Sequence, residues 1–361
     1  MSCFRFAVRR DDLEQYRVEE LPAPESLALK AGEAVIRVDH YAFTANNITY
    51  GVVGEMIGYW QFFPAQDGWG IIPVWGVGTV LQAGDSGLET GQRYYGYFPM
   101  ASFLVVEPGD VSSRGFTDTA AHRADLPVVY NQYALMTADN GFPPGYDDHQ
   151  MVYRPLFTTA FVIDDYLRDN DLFGAEEILL GSASSKTALC TAYMLRRGGD
   201  FRVIGLTSAG NKGFVEGTGA YDQVLTYDEV MGLDAGRRAA FVDMSGSGTL
   251  LAAIHNHYGD SLVCSCSVGV THYDDWGSQD TSALPGARPA MFFAPDQIAK
   301  RNAEWGPAVF QQRLDEAWQS FLAVIDDWIA IDHPQGLEGV TRCYNTVRQG
   351  ASPERAFVVT L

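Results

Sequence analysis

From about residue 177 onward, short apolar segments alternate with helical patterns, and this alternation restricts the possible folds more than any other feature of the chain. Runs typical of buried strands occupy residues 177–180, 201–206, 240–243 and 261–266. Helical patterns lie between them, at residues 187–197 and 248–257. Strands that alternate with helices at this rhythm form a parallel sheet joined by right-handed crossovers. We therefore predict an α/β fold with a parallel sheet for the middle of the chain.

A turn of small residues links the first of these strands to its helix. Residues 181–187 read Gly-Ser-Ala-Ser-Ser-Lys-Thr. Backbone N–H groups and the helix dipole favour an anion at such a turn, and small side chains let a phosphate approach the backbone. A dinucleotide-binding turn is the favoured interpretation, although the glycine-rich fingerprint is degraded. The alternatives are a P-loop, which would need a glycine where Ser185 stands, and a purely structural turn.

The end of the next strand indicates which dinucleotide would bind. An NAD-binding turn normally places an acid there, to bond the ribose 2′-hydroxyl. This chain instead has Thr207 and Ser208, with Lys212 shortly after them. Hydroxyl groups and a cation suit a 2′-phosphate, so we predict NADPH as the cofactor. The alternative is an ordinary helix cap beside a solvated lysine.

The first part of the chain, to about residue 110, has a different pattern of short strands separated by turns. Strand-like segments occupy residues 33–39, 70–81, 92–98 and 103–108. Strands at this spacing predict a compact barrel. Near the other end of the chain, apolar residues recur every three or four positions from Phe310 to Trp328. That spacing predicts an amphipathic helix that packs into a core.

The charge and cysteine content exclude several classes of partner and location. The chain has 45 acidic and 25 basic residues and a net charge of −20. A protein that binds nucleic acid or an anionic membrane needs a basic face, so we predict neither partner. No apolar run approaches the ~20 residues of a membrane-spanning helix. The five cysteines are scattered and the first residues lack a hydrophobic signal, so we expect free thiols and a cytoplasmic protein.

Four segments carry a resemblance to a known superfamily. They are residues 32–38 (Gly-Glu-Ala-Val-Ile-Arg-Val), the Asn-containing residues 45–51, residues 90–96 (Thr-Gly-Gln-Arg-Tyr-Tyr-Gly) and the last strand, residues 356–361. In this order they resemble the medium-chain dehydrogenase/reductase superfamily, in its zinc-independent quinone-reductase-like and enoyl-reductase-like branches, as a divergent bacterial subgroup. The resemblance implies an α/β fold with a doubly wound Rossmann sheet and a GroES-like β-barrel domain.

The same resemblance implies where the domains begin and end. Residues 1–153 would form the barrel domain, with an inserted loop at residues 111–151 that is unusual for the superfamily. Residues 154–300 would form the Rossmann domain, and residues 301–361 would return to the barrel. The insertion carries aromatic and polar residues that suit either a substrate cover or surface packing.

Departures from the superfamily argue against a metal site. Its zinc-dependent branch has a Cys early in the barrel, a Gly-His-Glu after it and a lobe of four cysteines. This chain has none of these ligands in the matching residues 44–47 and 73–77, and its cysteines are too scattered for the lobe. His40 has no Cys or Glu partner at ligand spacing. We therefore predict no bound zinc or other metal.

The resemblance implies an NADPH-dependent oxidoreductase that acts on a small molecule. It would transfer a hydride to the activated double bond of an enone, quinone or enoyl thioester, or to a carbonyl. The alternative is a non-catalytic NADPH-binding protein, such as a redox sensor or a structural protein. A homodimer is left open. The predicted cofactor contacts are Ser182, Ala183, Ser184, Ser185, Lys186, Thr187, Thr207, Ser208, Lys212, Asp243, Ser245, Ser267 and Phe293, with residues 266–269 also at the nicotinamide.

Reduction also requires a group that donates a proton to the substrate and a hydrogen bond to the developing oxyanion. Enoyl reductases of the superfamily carry a tyrosine just after the Asn-containing segment, and Tyr50 or Tyr59 could correspond to it. We predict Tyr50 as the donor, Tyr59 as the second candidate, Tyr130 of the inserted loop as the third, and Asn47 as an orienting residue. The alternative is that both tyrosines only pack against neighbours. The predicted substrate contacts are Tyr130, Asn131 and Thr158.

Overall fold

The computed structural model of the protein describes residues 3–268, 283–325 and 328–361. Gly269, expected at the nicotinamide, lies outside the described residues. So does the acid pair Asp274–Asp275, which the sequence predicts in a solvated loop.

Two compact units make up the chain. Met1–Val152 and Ala330–Leu361 form one, called here the β-rich unit, and Tyr153–Ile329 form the other, the α/β unit. The sequence predicts that residues 301–361 return to the barrel, whereas the residues up to 329 belong to the α/β unit. The reason is that the predicted amphipathic helix stacks Phe321 on Phe157, with ring centroids 4.9 Å apart, inside that unit.

The strands and helices are numbered in chain order. The strands are β1 (Cys3–Arg9), β2 (Tyr16–Leu21), β3 (Ala34–Phe43), β4 (Trp69–Gly70), β5 (Pro73–Gln82), β6 (Arg93–Pro99), β7 (Phe103–Val106), β8 (Pro108–Ser112), β9 (Gly115–Asp118), β10 (Gln132–Leu135), β11 (Glu177–Gly181), β12 (Arg202–Thr207), β13 (Gln223–Thr226), β14 (Ala239–Asp243), β15 (Leu262–Ser267), β16 (Ala290–Met291), β17 (Ala330–Asp332) and β18 (Arg355–Thr360). The helices are α1 (Ala45–Val52), α2 (Gly54–Ile57), α3 (Asp147–Asp169), α4 (Lys186–Leu195), α5 (Lys212–Gly217), α6 (Gly248–Tyr258), α7 (Ala294–Trp305), α8 (Pro307–Ile325) and α9 (Gly336–Arg348). Among the helices described, none has the length and apolar character needed to cross a membrane.

A parallel sheet forms the centre of the α/β unit. Its strand order is β13-β12-β11-β14-β15-β16, and each neighbouring pair is parallel. Every residue of β11 is buried, as expected for a strand covered by helices on both faces. Counted within the unit, the order is 3-2-1-4-5-6, the doubly wound Rossmann arrangement. The predicted α/β fold class is therefore confirmed.

Antiparallel pairing dominates the β-rich unit. Its larger sheet has the order β17-β18-β3-β5-β6-β10-β9-β8, with β7 also paired to β3, and β2-β1-β4 form a smaller sheet. Strand β18 pairs with β3, so residues 355–360 join the larger sheet beside a strand that lies about 310 residues earlier in the chain. Backbones of β3 and β5 approach closely at Gly78, where an added Cβ would lie 2.6 Å from the Arg37 carbonyl oxygen.

The predicted inserted loop at residues 111–151 has regular structure and extends the larger sheet. Within it, β10 pairs with β6 on one side and with β9 on the other, and β9 continues to β8. Helix α3 begins at Asp147, before the end of the predicted loop. The prediction of a loop was wrong because strands of four residues rich in Gly and polar groups give no clear alternation.

Candidate functional site

Four turns follow the carboxyl ends of β11, β12, β14 and β15, and together they are called here the carboxyl edge. In the first turn, Ser182 has a left-handed backbone, with φ +54°. The Ala183 N–H donates to the Leu206 carbonyl oxygen at 2.9 Å, which ties this turn to β12. Ser185 then caps α4, because its Oγ accepts from the Ala188 N–H at 3.2 Å. The sequence-predicted strand–helix turn is thus present.

Two glycines are needed for this turn to lie close to its neighbours. A Cβ on Gly181 would lie 2.6 Å from Asp243 Oδ1, and a Cβ on Gly205 would lie 2.9 Å from the Ala183 Cβ. The buried Tyr221 hydroxyl donates to the Ala183 carbonyl oxygen at 2.8 Å. Close contacts on both sides of the turn therefore hold its backbone in one position.

Asp243 ends β14 at the point where the strand order of the sheet reverses. Its carboxylate is buried, and Oδ1 accepts from the Ser245 backbone N–H at 2.8 Å and from Ser245 Oγ at 2.6 Å. Its carbonyl oxygen accepts from the Val268 N–H at 2.8 Å, so the ends of β14 and β15 adjoin. In open α/β sheets, ligands bind outside the carboxyl ends of the strands at this reversal point.

Lys212, the cation predicted to bind a 2′-phosphate, has an acidic partner that sequence reasoning did not reveal. Lys212 Nζ donates to Glu229 Oε2 at 2.7 Å, and the same oxygen accepts from the Thr226 N–H at 2.7 Å. The hydrogen bond with Glu229 raises the pKa of Lys212, and its counterpart with Lys212 lowers the pKa of Glu229. The pattern Thr226-x-x-Glu229 is a capping box, so a sequence signal for this acid exists.

The remaining predicted cofactor residues occupy the same edge or the helices that begin there. Ser184 Oγ accepts from Asn211 Nδ2 at 3.1 Å, which joins the turns after β11 and β12. Burial lowers the pKa of Lys186, in the first turn of α4, to about 8. The contacts of three others are as follows: the Thr187 carbonyl oxygen accepts from Thr191 Oγ1, the Ser267 carbonyl oxygen accepts from the Phe292 N–H, and Phe293 caps α7.

One orphaned polar atom at the carboxyl edge supports a bound dinucleotide there. Thr207 Oγ1 is fully buried, and within the described part of the chain it has no hydrogen-bond partner. Thr207 ends β12, and its neighbour Ser208 is exposed. The residues present therefore fit a dinucleotide: small side chains and backbone N–H groups at the first turn, and hydroxyls with a lysine at the second.

In the β-rich unit, three predicted tyrosines come together with a fourth. Tyr50, Tyr59, Tyr97 and Tyr130 are called here the tyrosine cluster. The rings of Tyr50 and Tyr59 lie 4.5 Å apart between centroids, and those of Tyr97 and Tyr130 lie 4.8 Å apart. The Tyr59 and Tyr130 hydroxyls share a hydrogen bond of 3.1 Å. The sequence placed these residues in separate segments, and the fold brings them into one group.

Tyr97 is the member of the tyrosine cluster that sequence reasoning missed. It lies on β6 and is fully buried, and among the described residues its hydroxyl has no hydrogen-bond partner. Burial raises its pKa well above the usual value, and the neighbouring phenols add to that rise. Burial also raises the pKa of Tyr50 and Tyr130. These phenols therefore stay protonated at neutral pH, and each can donate or accept a hydrogen bond as a neutral group.

Local backbone features set the positions of the cluster members. Asn47 Oδ1 accepts from the Thr44 N–H at 2.8 Å, which starts the helix that carries Tyr50. Gly58, with φ +83°, ends α2 and turns the chain into Tyr59. A Cβ on Gly54 would lie 2.3 Å from the indole nitrogen of Trp60, so the α2 segment packs tightly on the next turn.

Three other predicted residues make contacts within the protein. Asn47 Nδ2 also donates to the Pro73 carbonyl oxygen at 3.0 Å, so its amide joins the start of α1 to β5. Asn131 Nδ2 donates to the Arg123 carbonyl oxygen at 3.1 Å. Thr158 Oγ1 donates to the Arg154 carbonyl oxygen one helical turn earlier in α3. These contacts give each side chain a structural role, and the roles of the three residues toward a ligand stay predictions.

In the described part of the chain, no group of three or more His, Cys, Asp or Glu side chains is arranged to hold a metal ion. The early histidine, His40, has its Nδ1 3.1 Å from Thr360 Oγ1 on the neighbouring strand. The absence of a zinc ion stays a prediction from the sequence.

Comparison with solved structures identifies the fold. CurA from Vibrio vulnificus, solved in complex with NADPH, is 13% identical, with 99% of this chain and 98% of that chain covered and a TM-score of 0.62. The CurK enoyl reductase is 11% identical, with coverage of 100% and 99% and a TM-score of 0.58. Glucose dehydrogenase from Haloferax mediterranei, solved with NADP, Zn and gluconolactone, is 11% identical, with 99% of each chain covered and a TM-score of 0.58.

These similarities, together with the strand order, show the fold of the medium-chain dehydrogenase/reductase superfamily, as the sequence resemblance predicted. No curated protein matches the sequence significantly. One family model matches residues 41–353, which is most of the chain. The protein therefore belongs to the DUF2855 family, which is described as “Protein of unknown function”.

Proposed function

We propose that the protein is an NADPH-dependent oxidoreductase that reduces an activated double bond or a carbonyl of a small molecule. The main support comes from the carboxyl edge. There the turn after β11 lies against buried Asp243, at the point where the strand order of the sheet reverses. The NADPH in the CurA structure and the enoyl reductase activity in the name of CurK support this proposal by analogy of fold.

The carboxyl edge supplies distinct contacts for the parts of a dinucleotide. Backbone N–H groups at the start of α4, rather than those of Ala183 and Ser185 that the turn itself uses, would bind the pyrophosphate, since helix dipole and N–H groups both favour an anion there. Thr207, Ser208 and Lys212 would contact the adenosine ribose and its 2′-substituent. Asp243 and Ser245 would line the nicotinamide side of the reversal point. When bound, the cofactor supplies the hydride.

The tyrosine cluster supplies the proton in this proposal. The sequence favours Tyr50, but the hydrogen bond between Tyr59 and Tyr130 makes Tyr59 the better donor. Tyr59 Oη would release its proton to the developing oxyanion or carbanion of the substrate. Tyr130 Oη would then donate a hydrogen bond to the phenolate left on Tyr59 and stabilise it.

Independence from zinc is part of the proposal. The glucose dehydrogenase with a similar fold was solved with Zn, so the fold by itself is compatible with a metal. In this chain, Asn47 lies in the segment where the zinc-dependent branch has its cysteine, and its amide caps α1 instead. With neutral phenols as donors, the reaction needs no Lewis acid to polarise the substrate oxygen.

The test is reduction of a panel of enones, quinones, enoyl thioesters and aldehydes, followed as loss of NADPH absorbance. Tyr59→Phe is expected to lower kcat by about 100-fold or more while the Kd for NADPH is unchanged. The matched control is Tyr94→Phe, whose hydroxyl donates to Gln92 Oε1 at 2.8 Å on the same strand as Tyr97. The control should stay within about twofold of the parent.

Each other outcome has a definite meaning. Tight NADPH binding without turnover on any substrate would favour the non-catalytic alternative. Failure to bind NADPH would overturn the proposal as a whole. Full turnover by Tyr59→Phe would show that a group other than Tyr59 donates the proton. One tightly held zinc per chain in elemental analysis would contradict zinc independence.

Localisation and assembly stay predictions. Cys3, Cys190, Cys264, Cys266 and Cys343 are free thiols, which is the state expected in the cytoplasm. A homodimer is left open by the sequence, and the expected lack of nucleic-acid and membrane partners is a prediction from it. Light scattering of the purified protein would determine the assembly.

A further inference from the structure

We infer that Glu229 acts with Lys212 as an opposed pair that lets the nucleotide site accept both NADPH and NADH, with only a modest preference for NADPH. This inference rests on the proposed dinucleotide site and deepens it. The absence of an acid at the end of β12 predicts NADPH from the sequence. The structure supplies an acid from the neighbouring strand end instead.

The sheet register brings the acid to this place. Thr207 at the end of β12 pairs with Thr226 at the end of β13. Glu229 follows Thr226 in the capping box, and Lys212 begins α5 after β12. The Lys212–Glu229 ion pair therefore lies beside the strand end where dinucleotide-binding turns recognise the 2′-position of the ribose.

Glu229 does not depend on Lys212 for its position. Its Oε2 also accepts from the Thr226 backbone N–H, so the capping box would hold the carboxylate at this edge when Lys212 turns toward a ligand. Both side chains are partly exposed, which leaves them accessible to a nucleotide. A phosphate that approached Lys212 would therefore meet a carboxylate that stays in place.

The charges act in opposite directions on the two cofactors. A 2′-phosphate carries more than one negative charge at neutral pH, so Lys212 attracts it and Glu229 repels it. A ribose 2′-hydroxyl is a donor, and a carboxylate is the acceptor that NAD sites use for it. Each cofactor thus finds one favourable partner at this position. The preference for NADPH over NADH is therefore set by the difference between the attraction from Lys212 and the repulsion from Glu229.

Binding measurements on the full chain test this pair directly. Calorimetric titration with NADPH, NADH and 2′,5′-ADP gives dissociation constants without any need for turnover. In Glu229→Gln, NADPH and 2′,5′-ADP should bind about 5–10-fold more tightly, and NADH about twofold more weakly. In Lys212→Gln, NADPH should bind about tenfold more weakly, and NADH should change little.

Glu216→Gln is the matched control. Glu216 is exposed on α5 and also raises the pKa of Lys212, yet it makes no hydrogen bond with that lysine among those described. Glu216→Gln removes one negative charge near Lys212, as Glu229→Gln does. Because Glu216 makes no described hydrogen bond with the lysine, its loss should change the ratio of the NADPH and NADH dissociation constants by less than about twofold. Glutamine at position 229 keeps the capping box, because glutamine also serves at that position.

The outcomes separate this inference from the proposed function. If the parent binds none of the three nucleotides, the proposed dinucleotide site fails. If the parent binds them and Glu229→Gln leaves the ratio of the two dissociation constants unchanged, the inference alone fails. An equal shift in Glu216→Gln would also overturn it, because general charge rather than the ion pair would be responsible. Thermal melting of each variant confirms that it is folded.

Discussion

Both units bury polar side chains, but they satisfy them in different ways. At the carboxyl edge of the α/β unit, backbone N–H groups bind the buried Asp243 carboxylate and the Ser185 hydroxyl oxygen. In the β-rich unit, phenols pack ring against ring. There the Tyr97 hydroxyl is without a hydrogen-bond partner in the residues described.

The difference shows which changes each region should tolerate. A site held by backbone groups depends on close approach of main chains, so added volume at a glycine should damage it most. A region held by side chains depends on matched partners, so removal of one partner should damage it most.

The largest effect is expected at a buried ion pair of the β-rich unit. Arg123 Nε lies 3.3 Å from Asp118 Oδ2, and both side chains are about 1% exposed. Arg123→Met would leave a buried carboxylate without its cation, so the free energy of unfolding should fall by about 3–5 kcal/mol. Urea denaturation measures this. Asp118→Asn added to Arg123→Met should restore part of the loss.

The matched control is an exposed ion pair in the same unit. Arg37 Nε lies 2.7 Å from Asp39 Oδ1, and the arginine side chain is 54% exposed. Arg37→Met should lower the free energy of unfolding by less than about 1 kcal/mol, because solvent screens the pair. Equal losses in the two variants would show that side-chain partners do not dominate this unit.

The second prediction concerns the backbone contact at the carboxyl edge. The Cβ added by Gly181→Ala would lie 2.6 Å from Asp243 Oδ1. The free energy of unfolding should fall by about 1–3 kcal/mol, and NADPH binding should weaken as the turn shifts. Gly198→Ala is the control, because nothing lies within 4 Å of its added Cβ. If Gly181→Ala leaves the free energy of unfolding unchanged, close approach of main chains does not hold the carboxyl edge.

The third prediction tests a side-chain cap at the same edge. Ser185→Ala removes the oxygen that accepts from the Ala188 N–H, so the free energy of unfolding should fall by about 1 kcal/mol. Ser208 precedes the next helical turn without making a side-chain cap bond. Ser208→Ala should therefore have a smaller effect on thermal melting, and an effect as large as that of Ser185→Ala would count against the cap.

The carboxyl edge was predictable from sequence because each of its signals is local. Residues 181–187 show a strand end, small residues and a helix start in one short segment. The Lys212–Glu229 pair was missed for a different reason. The capping box predicts a helix start, but the pairing of β12 with β13 is needed to bring the acid to the lysine.

The tyrosine cluster could be predicted only in part. The resemblance pointed to Tyr50 and Tyr59, and the aromatic content of the insertion pointed to Tyr130. Tyr97 lies in a buried strand where aromatic residues are common, so nothing local separates it from core packing. The insertion itself was wrongly predicted as a loop, because its strands are short and join the larger sheet only through the pairing of β10 with β6.

The last prediction uses acid to test one buried polar group of the α/β unit. In the α/β unit, fully buried His255 has its Nδ1 2.8 Å from the Pro285 carbonyl oxygen and its Nε2 2.8 Å from Ser265 Oγ. Because a carbonyl oxygen can only accept, Nδ1 donates, and Nε2 of a neutral ring then accepts from the Ser265 hydroxyl. Burial accordingly lowers the pKa of His255 below its usual value.

A folded-state pKa below the unfolded value means that the unfolded chain takes up this proton first. The stability from the neutral ring is therefore present above about pH 6.5 and is lost as the pH falls through that value toward the folded pKa. His255→Asn removes this titration but leaves every other ionisable group. The difference in free energy of unfolding between the parent and this variant should thus shrink from pH 7.5 to pH 5. A difference that stays constant over that range would show that His255 is not bound in its neutral form.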